Sequence, residues 1–227
     1  MKLLLIVAAT MVLASCGGGA DTPSVTTNSA LDPAASAAII GFLDTSNLAS
    51  TGFPFNGQYP GVTKRWNLPI PVKTNGEARA APAMDAIEAK LGYVVFDRTS
   101  LANIDEANIV RGVVFRQGTS YLPAGANPQS YCANVSNAPF SGGWPANMLT
   151  APGVLSARCY VNLDNPQCTA SADIVIHEIG HALGMAIHFR GFGDGPAISS
   201  DFWNVMATLY ANPPGTAKAN IVVKQSH

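Results

Sequence analysis

Residues 171 to 185 read Ser-Ala-Asp-Ile-Val-Ile-His-Glu-Ile-Gly-His-Ala-Leu-Gly-Met. Ser171 is a good N-cap, Asp173 puts an acid in the first turn, and Gly184 stands near the end, so the stretch predicts a helix over Ser171 to Met185. His177 and His181, four apart, then lie one turn apart on the same face, and both imidazoles can reach one ion. Glu178, beside the first of them, is placed to take a proton from water on that ion without coordinating it. The neighbours Ile174, Val175, Ile176, Ala182 and Leu183 are apolar, and the chain has no Lys or Arg between Arg158 and Arg190. A carboxylate buried on such a helix is expensive unless a cation neutralises it. Two core histidines beside a buried glutamate would leave that cost standing.

A catalytic zinc takes three protein ligands and keeps one position open for water. No glutamate follows Glu178, so a downstream helix cannot supply one, and the remaining candidates are His188, Asp194, Asp201 and His227. His188 is nearest. Gly184 lets the chain leave the helix in a left-handed conformation and return that side chain to the ion. Asp194 is the reserve.

This pattern resembles the metzincin metallopeptidases, in particular the matrixin branch, whose motif is H-E-x-x-H-x-x-G-x-x-H followed by a Met-turn. His177, Glu178, His181 and Gly184 match in place, but Ile187 stands where the third histidine is expected and His188 follows one residue late. Asn204-Val205-Met206-Ala207-Thr208-Leu209-Tyr210 resembles the Met-turn. The resemblance places Met206 beneath the metal and makes Tyr210 part of a pocket wall. Upstream, Trp66 to Val72, a helix over Ala80 to Leu91 and the strands after it are similar in order to the upper metzincin subdomain. The likeness covers roughly two thirds of the chain, and only Ser171 to Tyr210 carries specific motifs. It implies a zincin-like α+β fold with a mixed upper sheet, an active-site helix and a small irregular lower subdomain. It further implies a zinc endopeptidase acting on a peptide or protein substrate, with zinc on His177, His181 and His188 and Glu178 as general base. The histidine count leaves none for a second, structural zinc. Calcium is compatible with loop residues such as Asp164 and Asn165, although nothing in their spacing singles out a site.

Working outward, Asp32-Pro33 is a helix start followed by an apolar run to Leu43. Thr45 to Gly61 is turn-rich. Trp66 to Val72 is strand-like but broken by Pro69 and Pro71, which confines it to an edge or a short strand. Ala80, Ala83, Met84, Ile87 and Leu91 have helical spacing, with Gly92 as a stop. Tyr93 to Phe96, Arg111 to Phe115 and Gly153 to Leu163 suit strands. Between the last two, Gln117 to Pro152 is a long stretch rich in Gly, Pro, Asn and Ser, of the kind that often carries function. Within it Ser141 to Pro145, with Gly142 and Gly143, is a candidate edge for an extended peptide. The order of elements predicts an α+β domain.

The chain has 227 residues, 48% of them hydrophobic and 12% charged, with 13 basic and 14 acidic side chains. That suits one domain or a domain plus a tail, and the absence of a basic cluster argues against nucleic acid as a partner. Lys2 followed by the apolar run Leu3 to Leu13 reads as a signal peptide, too short to span a bilayer. Leu13-Ala14-Ser15-Cys16 resembles a bacterial lipobox, which implies cleavage before Cys16, its lipidation and an extracytoplasmic, membrane-anchored protein. The expected organisation is signal peptide 1–15, lipidated cysteine and flexible tether 16–30, N-terminal helix and irregular segment 31–60, and metallopeptidase domain 61–227. In that compartment Cys132, Cys159 and Cys168 allow one bridge, with Cys159 to Cys168 the first choice because it closes a short loop. Two rivals stand beside the peptidase reading: a lipid-anchored binding protein that has lost turnover, and a zinc hydrolase of a non-peptide amide.

Overall fold

Asp32 opens helix α1 (Pro33–Leu43), its carboxylate accepting from the Ala34 N–H at 3.1 Å with proline at the first helical position. The helix passes directly into a π-helical turn, Asp44–Leu48. A computed structural model describes residues 31–49, 58–118, 124–136 and 149–227. The residues read as signal peptide and tether, Cys16 among them, and Ser141 to Pro145 lie outside the described residues. Ile39, Leu43 and Leu48 join the same hydrophobic core as the rest of the chain. Residues 31–227 accordingly form one compact unit.

The architecture is α+β, with four α-helices among the described residues. A five-stranded sheet contains β2 (Ile70–Lys73), β3 (Phe96–Asp97), β4 (Gly112–Gln117), β5 (Ala133–Ser136) and β8 (Arg158–Leu163), in the order β3-β2-β4-β8-β5. All its neighbours are parallel except β5, which runs antiparallel to β8 with Ala133 opposite Leu163. A smaller sheet has the order β1-β7-β6, from β1 (Arg65–Trp66), β6 (Leu149–Ala151) and β7 (Val154–Leu155). The stretches Trp66 to Val72 and Gly153 to Leu163 therefore each split between two sheets. Pro69 and Pro71 remove donors from the first of them. In the second, Gly153 adopts φ +74° so close to the Thr63 carbonyl that a side chain would collide with it. Strand β5 arises inside the stretch read as a long loop.

Helix α2 (Ala80–Leu91) ends, as its sequence predicts, on Gly92 in the left-handed region at φ +81°. Helix α3 (Ala172–Ala182) packs against α2, β8 and β5. Along β8 side chains alternate. Cys159, Val161 and Leu163 enter the main core, while Tyr160 joins a small cluster with Ile109 and Val114. Burial of each large aliphatic side chain in this core contributes about 1.5 to 3 kcal/mol.

That alternation corrects the disulfide expectation. The bridge joins Cys132 to Cys168, and Cys159 is a free, buried thiol. Cys132 precedes β5 and its carbonyl accepts from the Asp164 N–H at 2.7 Å, which brings it to the turn where Asn165 pairs with Cys168. Asp164 and Asn165 are likewise committed. Both Asp164 carboxylate oxygens accept from Arg79, at 2.9 and 2.8 Å, and the Asn165 amide donates to the Pro128 and Tyr131 carbonyls.

Candidate metal centre

Ser171 caps α3, its hydroxyl accepting from the Ile174 N–H at 3.3 Å. Val175, Ile179 and Ala182 anchor one side of the helix in the core, and His177 and Glu178 are themselves buried, each 7% exposed. Gly180 is required for packing: a Cβ there would lie 2.7 Å from the Phe202 ring and 2.9 Å from the Met185 methyl. Phe202 belongs to helix α4 (Ser200–Ala211), capped by Ser199. After α3 the chain reverses at Gly184, at φ +113°. It makes a short excursion through Met185, Ala186 and the exposed Ile187, and then presents His188.

The structure brings His177, His181 and His188 together. Their Nε2 atoms form a triangle with all three sides 3.1 Å. The outer nitrogens explain why. Nδ1 of His177 lies 2.8 Å from the Ala197 carbonyl and Nδ1 of His181 lies 2.6 Å from the Met185 carbonyl. A carbonyl only accepts, so each Nδ1 carries the proton and donates it, leaving a bare lone pair on Nε2. Two lone pairs facing each other at 3.1 Å cannot hydrogen-bond, and a proton on His188 Nε2 could serve only one of them. Three such nitrogens 3.1 Å apart are close enough for imidazole–metal bonds of about 2.0 to 2.1 Å to one ion. The three histidines can hold a metal ion.

No family model matches the chain, and comparisons with curated proteins and with solved structures give no match.

The other candidate ligands are placed elsewhere. Asp201 pairs with Arg190 at 3.4 Å, and His227 lies against Gly92 with its N–H donated to the Lys90 carbonyl at 2.9 Å. Asp194, in the two-residue strand β10 (Gly193–Asp194) paired with β9 (Phe189–Arg190), is exposed and acts on His188 only through its charge. Asn204 to Tyr210 lies within α4 and is helical, not a turn. Met206 is fully buried there, and the buried Tyr210 donates its hydroxyl to the Leu183 carbonyl at 3.0 Å.

The side chain that packs on all three imidazoles is Phe192, which the sequence reading did not single out. Its ring centroid is 4.3 Å from His177, 4.7 Å from His181 and 5.6 Å from His188, and it is fully buried against Phe189 and Phe202. A signal existed in Gly191-Phe192-Gly193, an aromatic between two glycines just beyond the third histidine. Gly193 has a steric duty, since a Cβ there would meet the His188 ring at 2.6 Å.

Burial shapes the site's electrostatics. It lowers His177 to about 4, with the Ala197 hydrogen bond opposing, and holds His181 well below the usual imidazole range. His188 is lowered by the same cause, against the attraction of Asp194. Burial thus favours the neutral form of all three imidazoles, the form a metal requires. Burial also raises Glu178 to about 8, and no hydrogen bond or ion pair engages its carboxyl among the described residues. The Cys159 thiol is pushed up by burial first and by Glu178 second.

Proposed function

We propose that the protein is a zinc-dependent endopeptidase with a zincin-like fold, resembling the matrixin branch of the metzincins. The observation that carries this reading is the triangle of Nε2 atoms, two with their protons fixed on the far nitrogen, together with the buried Glu178, which follows His177 in the chain and has no partner for its carboxyl among the described residues. A three-nitrogen set from neutral imidazoles suits zinc. The Phe192 ring packs on all three imidazoles.

Zinc bound there lowers the pKa of water and polarises a carbonyl. The residues supply the rest. His177 and His181 are held in one tautomer and one orientation by the carbonyls of Ala197 and Met185. Glu178 accepts the proton of the attacking water at a carboxylate oxygen and returns it to the leaving amine. A cation held by the three histidines would favour the ionised form of Glu178 in its apolar setting, the form that acts as a base. An extended peptide fits the outer strand β5, which lies against α3, with main-chain hydrogen bonds to the strand edge. The chain is exported and attached to a membrane through lipid on Cys16.

Digestion of a mixed peptide pool by the purified chain, with and without a zinc chelator, tests the proposal. Chelator-sensitive cleavage that is absent from Glu178→Gln is expected. Zinc uptake with no peptide cleaved would overturn the endopeptidase reading. Cleavage confined to non-peptide amides would move the activity to another substrate class.

A further inference from the structure

The C-terminal end of α3 exposes carbonyls that no further helical turn can satisfy. The carbonyls of Ala182 and of the two residues after α3 are each met by a side chain from a different part of the chain. The Trp66 indole donates to Ala182 at 2.8 Å, the Tyr210 hydroxyl to Leu183 at 3.0 Å, and the Asn47 amide to Gly184 at 2.7 Å. The fourth carbonyl, of Met185, receives the His181 Nδ1 proton.

Asn47 is fully buried in the π-helical turn after α1. Its amide also donates to the Lys64 carbonyl at 2.8 Å, and its Oδ1 accepts the Lys64 N–H at 2.9 Å. The buried Lys64 ammonium returns the tie by donating to the carbonyls of Asn47 at 2.7 Å and Leu48 at 3.0 Å. The residue before it, Ser46, accepts the Ala186 N–H at 2.8 Å, and Phe42 stacks on Phe189 with centroids 5.0 Å apart. The excursion from Gly184 to Ile187 is therefore clamped on both sides of Met185, and its exit is pinned just past His188. That excursion does two things for the site: its Met185 carbonyl orients His181, and its length delivers His188.

We infer that Asn47 is a positioning residue for the metal centre, holding the excursion that orients His181 and delivers His188. The proposal rests on the reading of the three histidines as a metal centre. It makes the segment 31–49 part of the site although none of its residues touches an imidazole nitrogen. The tie is geometric: without the Asn47 amide, the Gly184 and Lys64 carbonyls and the Lys64 N–H lose a buried partner together, and the excursion relaxes with them.

Zinc affinity by chelator competition on the full chain tests this, using wild type, Asn47→Ala, His188→Ala and the double variant. Ile39→Ala, a core substitution in α1, serves as a control for general loosening. Asn47→Ala should weaken zinc binding by about 10- to 100-fold, the usual range for a partner that orients a ligand. His188→Ala should then lose much less additional affinity in the Asn47→Ala background than in wild type, because the ligand is already released. Ile39→Ala and His188→Ala should combine independently. Asn47→Ser, which is too short to reach the Gly184 carbonyl, is measured in the same cycle in case Asn47→Ala does not fold. Zinc affinity within about twofold of wild type, or independent effects of Asn47 and His188, would overturn the proposal. A wild-type chain that takes up no zinc would overturn the metal reading itself, before any variant is compared.

Discussion

Replacing Glu178 by glutamine should change how the metal-free protein responds to pH. In the fold, burial raises this carboxyl from the ordinary 4.5 to about 8. Between those values the folded protein holds a proton that the unfolded chain has released. The folded state therefore binds more protons, and stability declines as pH rises from about 4.5, levelling off above 8. At 1.36 kcal/mol per pKa unit the whole gap is worth about 5 kcal/mol, of which about 3 kcal/mol falls between pH 5 and pH 8. Glutamine has no such slope. The neighbouring histidines titrate in both proteins and drop out of the comparison. Urea unfolding in the presence of a chelator, at pH 5 and pH 8, should show Glu178→Gln gaining about 3 kcal/mol on the wild type over that interval. Adding zinc should close the gap, because the cation stabilises the carboxylate. Parallel pH dependence of the two metal-free proteins would show that the Glu178 carboxyl is neutralised or hydrogen-bonded by another group in the fold.

Metal analysis should find one zinc per chain, lost on His188→Ala and kept on Asp194→Ala; the reverse pattern would exchange their roles. Glu178→Gln should keep its zinc while peptide hydrolysis falls by about 100- to 10,000-fold, the usual contribution of a general base, as read by initial rates on a cleaved peptide. Mass spectrometry of the wild-type N-terminus should show a lipidated Cys16, and Cys16→Ser should partition into the aqueous phase; an unmodified Cys16 in a freely soluble wild type would reject the anchor.

Much of the site was legible because its determinants are local. Spacing placed His177 and His181 on one helical face, Ser171 marked the start of α3, and the nearness of His188 made it the first choice for the third ligand. Asp32-Pro33 and Gly92 likewise bounded their helices. What escaped depends on partners distant in sequence. The split of Gly153 to Leu163 between two sheets follows from a close approach to Thr63, and β5 exists because β8 pairs with it. Cys159 faces inward by strand alternation, which no count of loop residues reveals. Asn204 to Tyr210 was read through a family resemblance, while the local cue, Ser199 two residues before Asp201, favoured the helix that forms. Asn47 lies 137 positions from its partner Gly184, beyond any local pattern.

On the proposed zinc reading, the two main-chain carbonyls behind His177 and His181 also bear on which ions the chain would discriminate. By fixing both imidazoles as uncharged nitrogen donors they leave calcium and magnesium, which require oxygen, little to bind. They do not separate zinc from cobalt, nickel or copper, whose ranking on such a donor set follows intrinsic affinity, with copper highest. On the proposed zinc reading, ion identity at these histidines would therefore be set by supply: the donor set disfavours hard ions, and the ions present where the chain folds would decide among the rest.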